Sequence, residues 1–178
     1  LDVMSMHATM PLNFEINSKQ ALETFRAALF GESFSIEVTA SSFNKTGTAL
    51  GRLVGGNLSI IYSLLGTSDA YNFKNSVLFI EDLSEQLYHI DRMLFTLKKA
   101  GVFDEINGLV IGGMTGLKDT NPSFGMTYEE SILEKVKDDN FPICFNFPTG
   151  HIKDNRAMII GAMVELEVND QGAMLHYI

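Results

Sequence analysis

The 178-residue chain has no tryptophan, one cysteine and four prolines. A single thiol, Cys144, excludes an internal disulfide framework. It lies in the apolar run 142–147 and reads as a buried small hydrophobe, which suits a reducing compartment. Positive charge is also scarce: 13 Lys and Arg stand against 22 Asp and Glu, for a net charge of −9. No basic stripe gathers that minority, so no nucleic-acid partner is expected. No apolar stretch reaches the roughly 18 residues of a spanning helix, and the opening residues lack a signal-peptide pattern. A cytoplasmic protein with no membrane association is the expectation. Metal-ligand spacing of Cys and His is missing, so no metal and no cofactor are expected.

What the chain has is hydrophobic content, 46%, enough for one domain with a real core. Its organising stretch is 74–100. Val77-Leu78-Phe79-Ile80 reads as a buried strand that stops at Glu81 and Asp82. Ser84 is the expected cap of a helix that buries Leu87, Ile90, Met93, Leu94 and Leu97. Lys98 and Lys99 suit its carboxyl end and Gly101 its stop. Gly108 to Gly113 reads as a second strand. Strand, helix and strand together predict a crossover in a sheet, and in such sheets ligands gather where strands end. Glu81 stands at such an end, either as chemistry or as a solvated terminus.

Elsewhere, residues 1–16 read as irregular. A helix over 17–30 is capped by Asn17 or Ser18, with Ala21, Leu22, Phe25, Ala28 and Leu29 inward and Gly31 closing it. Phe34 to Val38 alternates as a half-buried strand, and 39–50 reads as turn or loop. Gly55-Gly56-Asn57 reads as a tight turn opening a helix that Gly66 ends. Residues 114–126 form a loop. Thr127 and Glu130 make a capping box for a helix over 127–138. Pro142 to Phe147 is a strand, and a hairpin closes the chain about Asn169–Gly172. His7, His89 and His176 read as solvated side chains. His151 follows a strand, a proline and a glycine, and becomes a candidate general base if Glu81 meets it and holds its tautomer. Asp91 and Arg92 read as structural ion-pair residues.

Taken in order, Gly51-Arg52-Leu53-Val54-Gly55-Gly56-Asn57-Leu58, Val77 to Asp82, Tyr88 to Leu94, Ile111-Gly112-Gly113 and Phe147-Pro148-Thr149-Gly150-His151 resemble the C-terminal part of the LD-carboxypeptidases. These are serine peptidases, and the family includes muramoyltetrapeptide carboxypeptidase. The resemblance implies an α/β fold: a compact mixed-sheet swivelling β/β/α domain with flanking helices. It implies a Ser-His-Glu triad in which Glu81 and His151 are the catalytic glutamate and histidine, with Asn57 as a substrate-binding residue. It also implies a murein peptide substrate losing a terminal D-alanine, a homodimer, and no metal or other cofactor.

The family's nucleophile lies in a Gly-Tyr-Ser-Asp turn of an N-terminal domain, and no such segment occurs here. Met6-His7-Ala8-Thr9-Met10 is similar to the family's His-Gly-Pro-Met segment, with Ala-Thr in place of Gly-Pro. Leu1 is no natural initiator. The expectation is therefore a fragment: 1–16 the tail of a linker from a missing nucleophile domain, a partner for this chain, and 17–178 the C-terminal domain. Ser59, Ser63 and Ser84 follow no nucleophile-elbow pattern, so this chain alone is expected to be inactive. Two alternatives stay open. One is a microcin C-immunity-type peptidase cleaving acyl-adenylate analogues, which the lack of tryptophan for stacking on adenine disfavours. The other is a non-catalytic binding domain.

Overall fold

The computed structural model describes residues 3–178; Leu1, on which part of the fragment reading rests, lies outside them. A seven-stranded mixed sheet runs in the order β2 (Ser35–Thr39), β9 (Gly172–Tyr177), β8 (Met163–Asn169), β3 (Gly47–Asn57), β4 (Ser76–Leu83), β5 (Gly108–Thr115), β6 (Ile143–Cys144). The β3-β4-β5-β6 half is parallel and the β2-β9-β8-β3 half antiparallel. A separate antiparallel pair joins β1 (Ser5–His7) to β7 (Met158–Ile160). The helices are α1 (Lys19–Phe30), α2 (Leu58–Leu64), α3 (Leu87–Lys99), α4 (Val102–Glu105) and α5 (Tyr128–Lys135). The expected α/β domain, a compact mixed sheet with flanking helices, is what forms. Among the described residues no helix is long and apolar enough to cross a membrane.

The interior strand β4 has a core on each of its faces. Successive strand side chains point to opposite faces. Leu78 and Ile80 pack with Leu58, Ile90, Leu94 and Leu97 on one side. Val77 and Phe79 pack with Leu53, Phe147, Met158 and Val164 on the other. The same alternation sends Asp82 toward α2 and Glu81 to the Phe79 face.

Several local readings change. The strand does not stop at Ile80: Asp82 and Leu83 still pair with Met114 and Thr115, so Glu81 and Asp82 lie inside it, 1% and 2% exposed. Ser84 is not the cap. Its backbone bonds Thr115 and takes a left-handed φ of 61°, and α3 starts later, after Gln86. Gly55-Gly56-Asn57 is not a turn but the end of β3, in parallel register with Phe79-Ile80-Glu81. A Cβ on Gly55 would stand 1.9 Å from the Phe79 carbonyl oxygen, so the glycine serves close strand approach. Part of the expected 39–50 loop, from Gly47 on, is already strand paired with β8. In α1, capped by Ser18 as expected, only Ala21 and Ala27 are buried and Leu29 is exposed. The strand after Pro142 shrinks to two residues, because the Phe145 amide turns to the Asn44 side chain.

Candidate active site

Glu81 enters the Phe79 face of the sheet near the carboxyl end of β4 and meets the segment 147–151 there. That segment is held from several sides. The Phe147 amide donates to the Ile111 carbonyl and the Gly113 amide to the Thr149 carbonyl. Thr149, fully buried, donates its hydroxyl to the Arg156 carbonyl at 2.7 Å, and the Gly150 amide donates to Asn155 Oδ1 at 2.9 Å. Two glycines make room for the carboxylate. A Cβ on Gly150, whose φ is +105°, would come within 2.9 Å of Glu81 Cβ and Oε2. One on Gly112 would come within 2.7 Å of both the Phe79 ring and the Thr149 carbonyl.

The result is a buried carboxylate against a half-exposed imidazole. Glu81 Oε2 accepts from His151 Nδ1 at 2.7 Å and from the His151 backbone N–H at 3.3 Å. The Glu81 side chain is 1% exposed and that of His151 50%. Burial works to raise the Glu81 pKa, but the facing imidazoles of His7 and His151, and the hydrogen bonds from His151, outweigh it, so the carboxyl sits below its ordinary value. An ionised acceptor at Nδ1 requires the proton on that nitrogen, which leaves Nε2 as a basic lone pair. Nε2 has no hydrogen-bond partner among the described residues. His151 lines a cavity of about 460 Å³ together with His7, Met10, Ile16, Leu83 and Lys153. No hydroxyl or thiol side chain lines that cavity among the described residues.

Residues 50–166 match the LD-carboxypeptidase C-terminal domain. The chain belongs to the LD-carboxypeptidase family. A Synechocystis sp. protein named for carboxypeptidase activity is 30% identical over 97% of this chain and 56% of its own length. A Bacillus subtilis protein named as a murein peptide carboxypeptidase is 31% identical over 72% of this chain and 40% of its own. The microcin C7 self-immunity protein MccF of Escherichia coli is 26% identical over 73% of this chain and 38% of its own. Muramoyltetrapeptide carboxypeptidase from Oxalobacter formigenes shares the fold, with a TM-score of 0.87 at 23% identity over 99% of this chain and 62% of that one. The chain spans about half the length of the curated relatives it matches.

Within this LD-carboxypeptidase domain the other sequence candidates lie apart from the Glu81–His151 pair. Asn57 caps α2. Its Oδ1 accepts from the Ile60 amide and, at 2.6 Å, from Ser59 Oγ, and its Nδ2 donates to Asp82 Oδ1 at 3.0 Å. Asp82 also takes the Ser59 and Leu83 amides; burial still pushes its carboxyl above the ordinary value. Asp91 pairs with Lys135 at 2.7 Å and Ser131 at 2.6 Å, tying α3 to α5, while Arg92 lies over the Tyr88 ring. His89 pairs with Glu85, and His176 is exposed on β9.

His7 is the correction. It is not a loosely solvated side chain: β1 pairs with β7 and carries its ring to Phe79, edge-on, with centroids 5.2 Å apart. Its Nε2 stands 3.9 Å from Glu81 Oε1, farther than a hydrogen bond reaches. The motif likeness of 6–10 was the only sequence signal, because β1 and β7 are far apart along the chain.

Proposed function

We propose that this chain is the C-terminal, base-bearing part of a serine LD-carboxypeptidase that releases terminal D-alanine from murein peptides. The observation that carries the reading is the 2.7 Å contact between a buried carboxylate and the Nδ1 of an imidazole whose other nitrogen is unpartnered beside a cavity. In that arrangement Glu81 orients His151 and stabilises its protonated form. His151 Nε2 takes the proton of a serine hydroxyl as the oxygen attacks the scissile carbonyl, then returns it to the departing D-amino group. Water repeats the cycle to free the acyl group. Among the described residues no hydroxyl side chain lines the cavity; in this proposal the serine and its oxyanion-hole amides belong to a segment outside this chain. Without them this chain alone turns over at most a trace. No metal or other cofactor takes part. Asn57 keeps its substrate-binding assignment only from the family resemblance; its side chain caps α2 and holds Asp82. A cytoplasmic homodimer belongs to the same proposal.

The murein reading draws on the name of the Bacillus subtilis relative. The test is D-alanine release from a murein tetrapeptide by the natural protein that contains this chain, beside its Glu81→Ala and His151→Ala variants. Release that collapses in both variants supports the proposal. An intact protein that releases no D-alanine but cleaves acyl-sulfamoyl adenylates supports an immunity-type peptidase, in keeping with the MccF relative. Failure on both substrates leaves a binding domain.

A further inference from the structure

We propose that His7 is a positioning residue that shares the Glu81 carboxylate with His151, holding Oε1 from the side opposite the catalytic imidazole. The inference rests on the reading of Glu81 and His151 as triad members. Three observations carry it. First, Glu81 Oε1 is buried and has no hydrogen-bond partner among the described residues, although Oε2 takes two donors from His151. An orphaned oxygen on a fully buried carboxylate is costly and unusual in a folded protein. Second, the nearest polar atom facing it is His7 Nε2, at 3.9 Å. A small rotation of either side chain brings that separation into hydrogen-bond range. Third, the His7 ring is fixed on its other side: it stands edge-on against Phe79, and its Nδ1 is itself buried without a partner among the described residues.

That last atom assigns the tautomer. A proton on the buried Nδ1 would be a donor with nowhere to go, whereas a proton on Nε2 points at the free carboxylate oxygen. His7 therefore presents Nε2–H to Oε1. Other charges do not compete for the position. Asp82, next along β4, points to α2 and is held by Asn57 and the Ser59 amide. β5 faces Glu81 with Gly112, and the 147–151 segment brings His151 itself. Lys153 lines the same cavity as His7 and His151. The carboxylate is thus clamped on both oxygens, which keeps it ionised and stops it from rotating away from His151 Nδ1.

The test uses imidazole and carboxyl NMR of the natural protein, so it does not depend on peptidase turnover. In wild type, nitrogen shifts at neutral pH are expected to show His7 with the proton on Nε2. A proton on Nδ1 overturns the proposal without any variant. In His7→Phe, which keeps the ring packing on Phe79, Glu81 is expected to titrate at higher pH than in wild type, by about half a unit or more. In His7→Gln, whose amide replaces the Nε2 donor, it is expected to return toward wild type. A folded His7→Phe protein whose Glu81 titrates as in wild type, or a His7→Gln protein that behaves as His7→Phe does, refutes the clamp. Where wild type releases D-alanine, His7→Phe is expected to lower kcat more than tenfold with KM little changed, and His7→Gln to recover most of it. A wild type without release sinks the carboxypeptidase reading, while the NMR outcome still decides whether His7 holds Glu81.

Discussion

Replacing Glu81 by glutamine removes one charge and almost no volume, and the structure sets the size of the effect. In the proposed mechanism His151 carries a positive charge against Glu81 in the transition state, with Nδ1 and Oε2 2.7 Å apart. Unit charges centred about 4 Å apart attract by about 4 kcal/mol at an effective dielectric of about 20. His151 is half exposed, so screening reduces that to about 2–3 kcal/mol, or roughly a hundredfold in kcat. A second loss depends on the amide's orientation. With its oxygen toward Nδ1 the tautomer survives; with its NH2 group there the imidazole must carry its proton on Nε2 and cannot act as base. The comparable carboxylate-to-amide change in a serine protease triad costs about 10⁴-fold. Glu81→Gln is therefore expected to lower kcat between about 10²- and 10⁴-fold, with KM changed little. The assay is D-alanine release from a murein tetrapeptide by the natural protein. A folded variant within tenfold of wild-type kcat would refute the role given to Glu81. Stability offers an independent check. Folding holds this carboxyl below its ordinary 4.5, so the folded state favours its ionised form. That stabilisation is fully present above about 4.5 and is lost as pH falls through the depressed folded value. The wild type is thus expected to exceed Glu81→Gln in unfolding free energy near neutral pH, and the gap to close in acid.

Gly150→Ala places a Cβ against Glu81 on a backbone of φ +105°. It is expected to cost about 1–3 kcal/mol in a thermal melt and, by displacing the carboxylate, about a hundredfold in kcat. Asp91→Ala leaves the mostly buried Lys135 with Glu134 as its one ionic partner among the described residues, so urea unfolding is expected to show a loss of about 2 kcal/mol, with kcat unchanged. The Asp91 carboxyl is also held below its ordinary 3.8, where the Lys135 and Ser131 bonds and the Lys135 charge outweigh burial. Its contribution is present above that value and lost as pH falls through the depressed folded value, so Asp91→Asn is expected to flatten the fall in urea stability below about pH 3.8. Cys144 is fully buried and its thiol is pushed up to about 12 by that burial. It is expected to react with a disulfide reagent only after unfolding; rapid labelling of the folded protein would contradict its place in the core.

The legible parts of the fold were those written in short spacings. The apolar stripe of α3, the Ser18 cap and Gly31 stop of α1, the capping box of Thr127 and Glu130, and the closing hairpin all follow from residues within a few positions of each other. The errors fell where a distant strand overrode a local preference. Ser84 has the chemistry of a cap, but its amide bonds the Thr115 carbonyl and it takes a left-handed turn at the strand's end, so the helix starts later. Gly55 and Gly56 have the composition of a turn, but alignment with β4 makes both strand, with Gly55 pressed against the Phe79 carbonyl. Leu29 fits an inward stripe, yet only the two alanines of α1 are buried.

The site divides in the same way. From residue order and motif alone came the two groups that meet, Glu81 and His151, and the family they resemble. The tertiary structure decided what those groups are physically. The extension of β4 past Ile80 turned Glu81 from a strand end into a buried carboxylate, and the alternation of strand faces aimed it at 147–151 rather than at α2. Pairing of β1 with β7 brought His7 beside it, from a stretch that reads as irregular. Burial, facing and pairing register are relations between segments far apart in the chain. Local propensities carry the shape of each element, and only the packed sheet carries which of them touch.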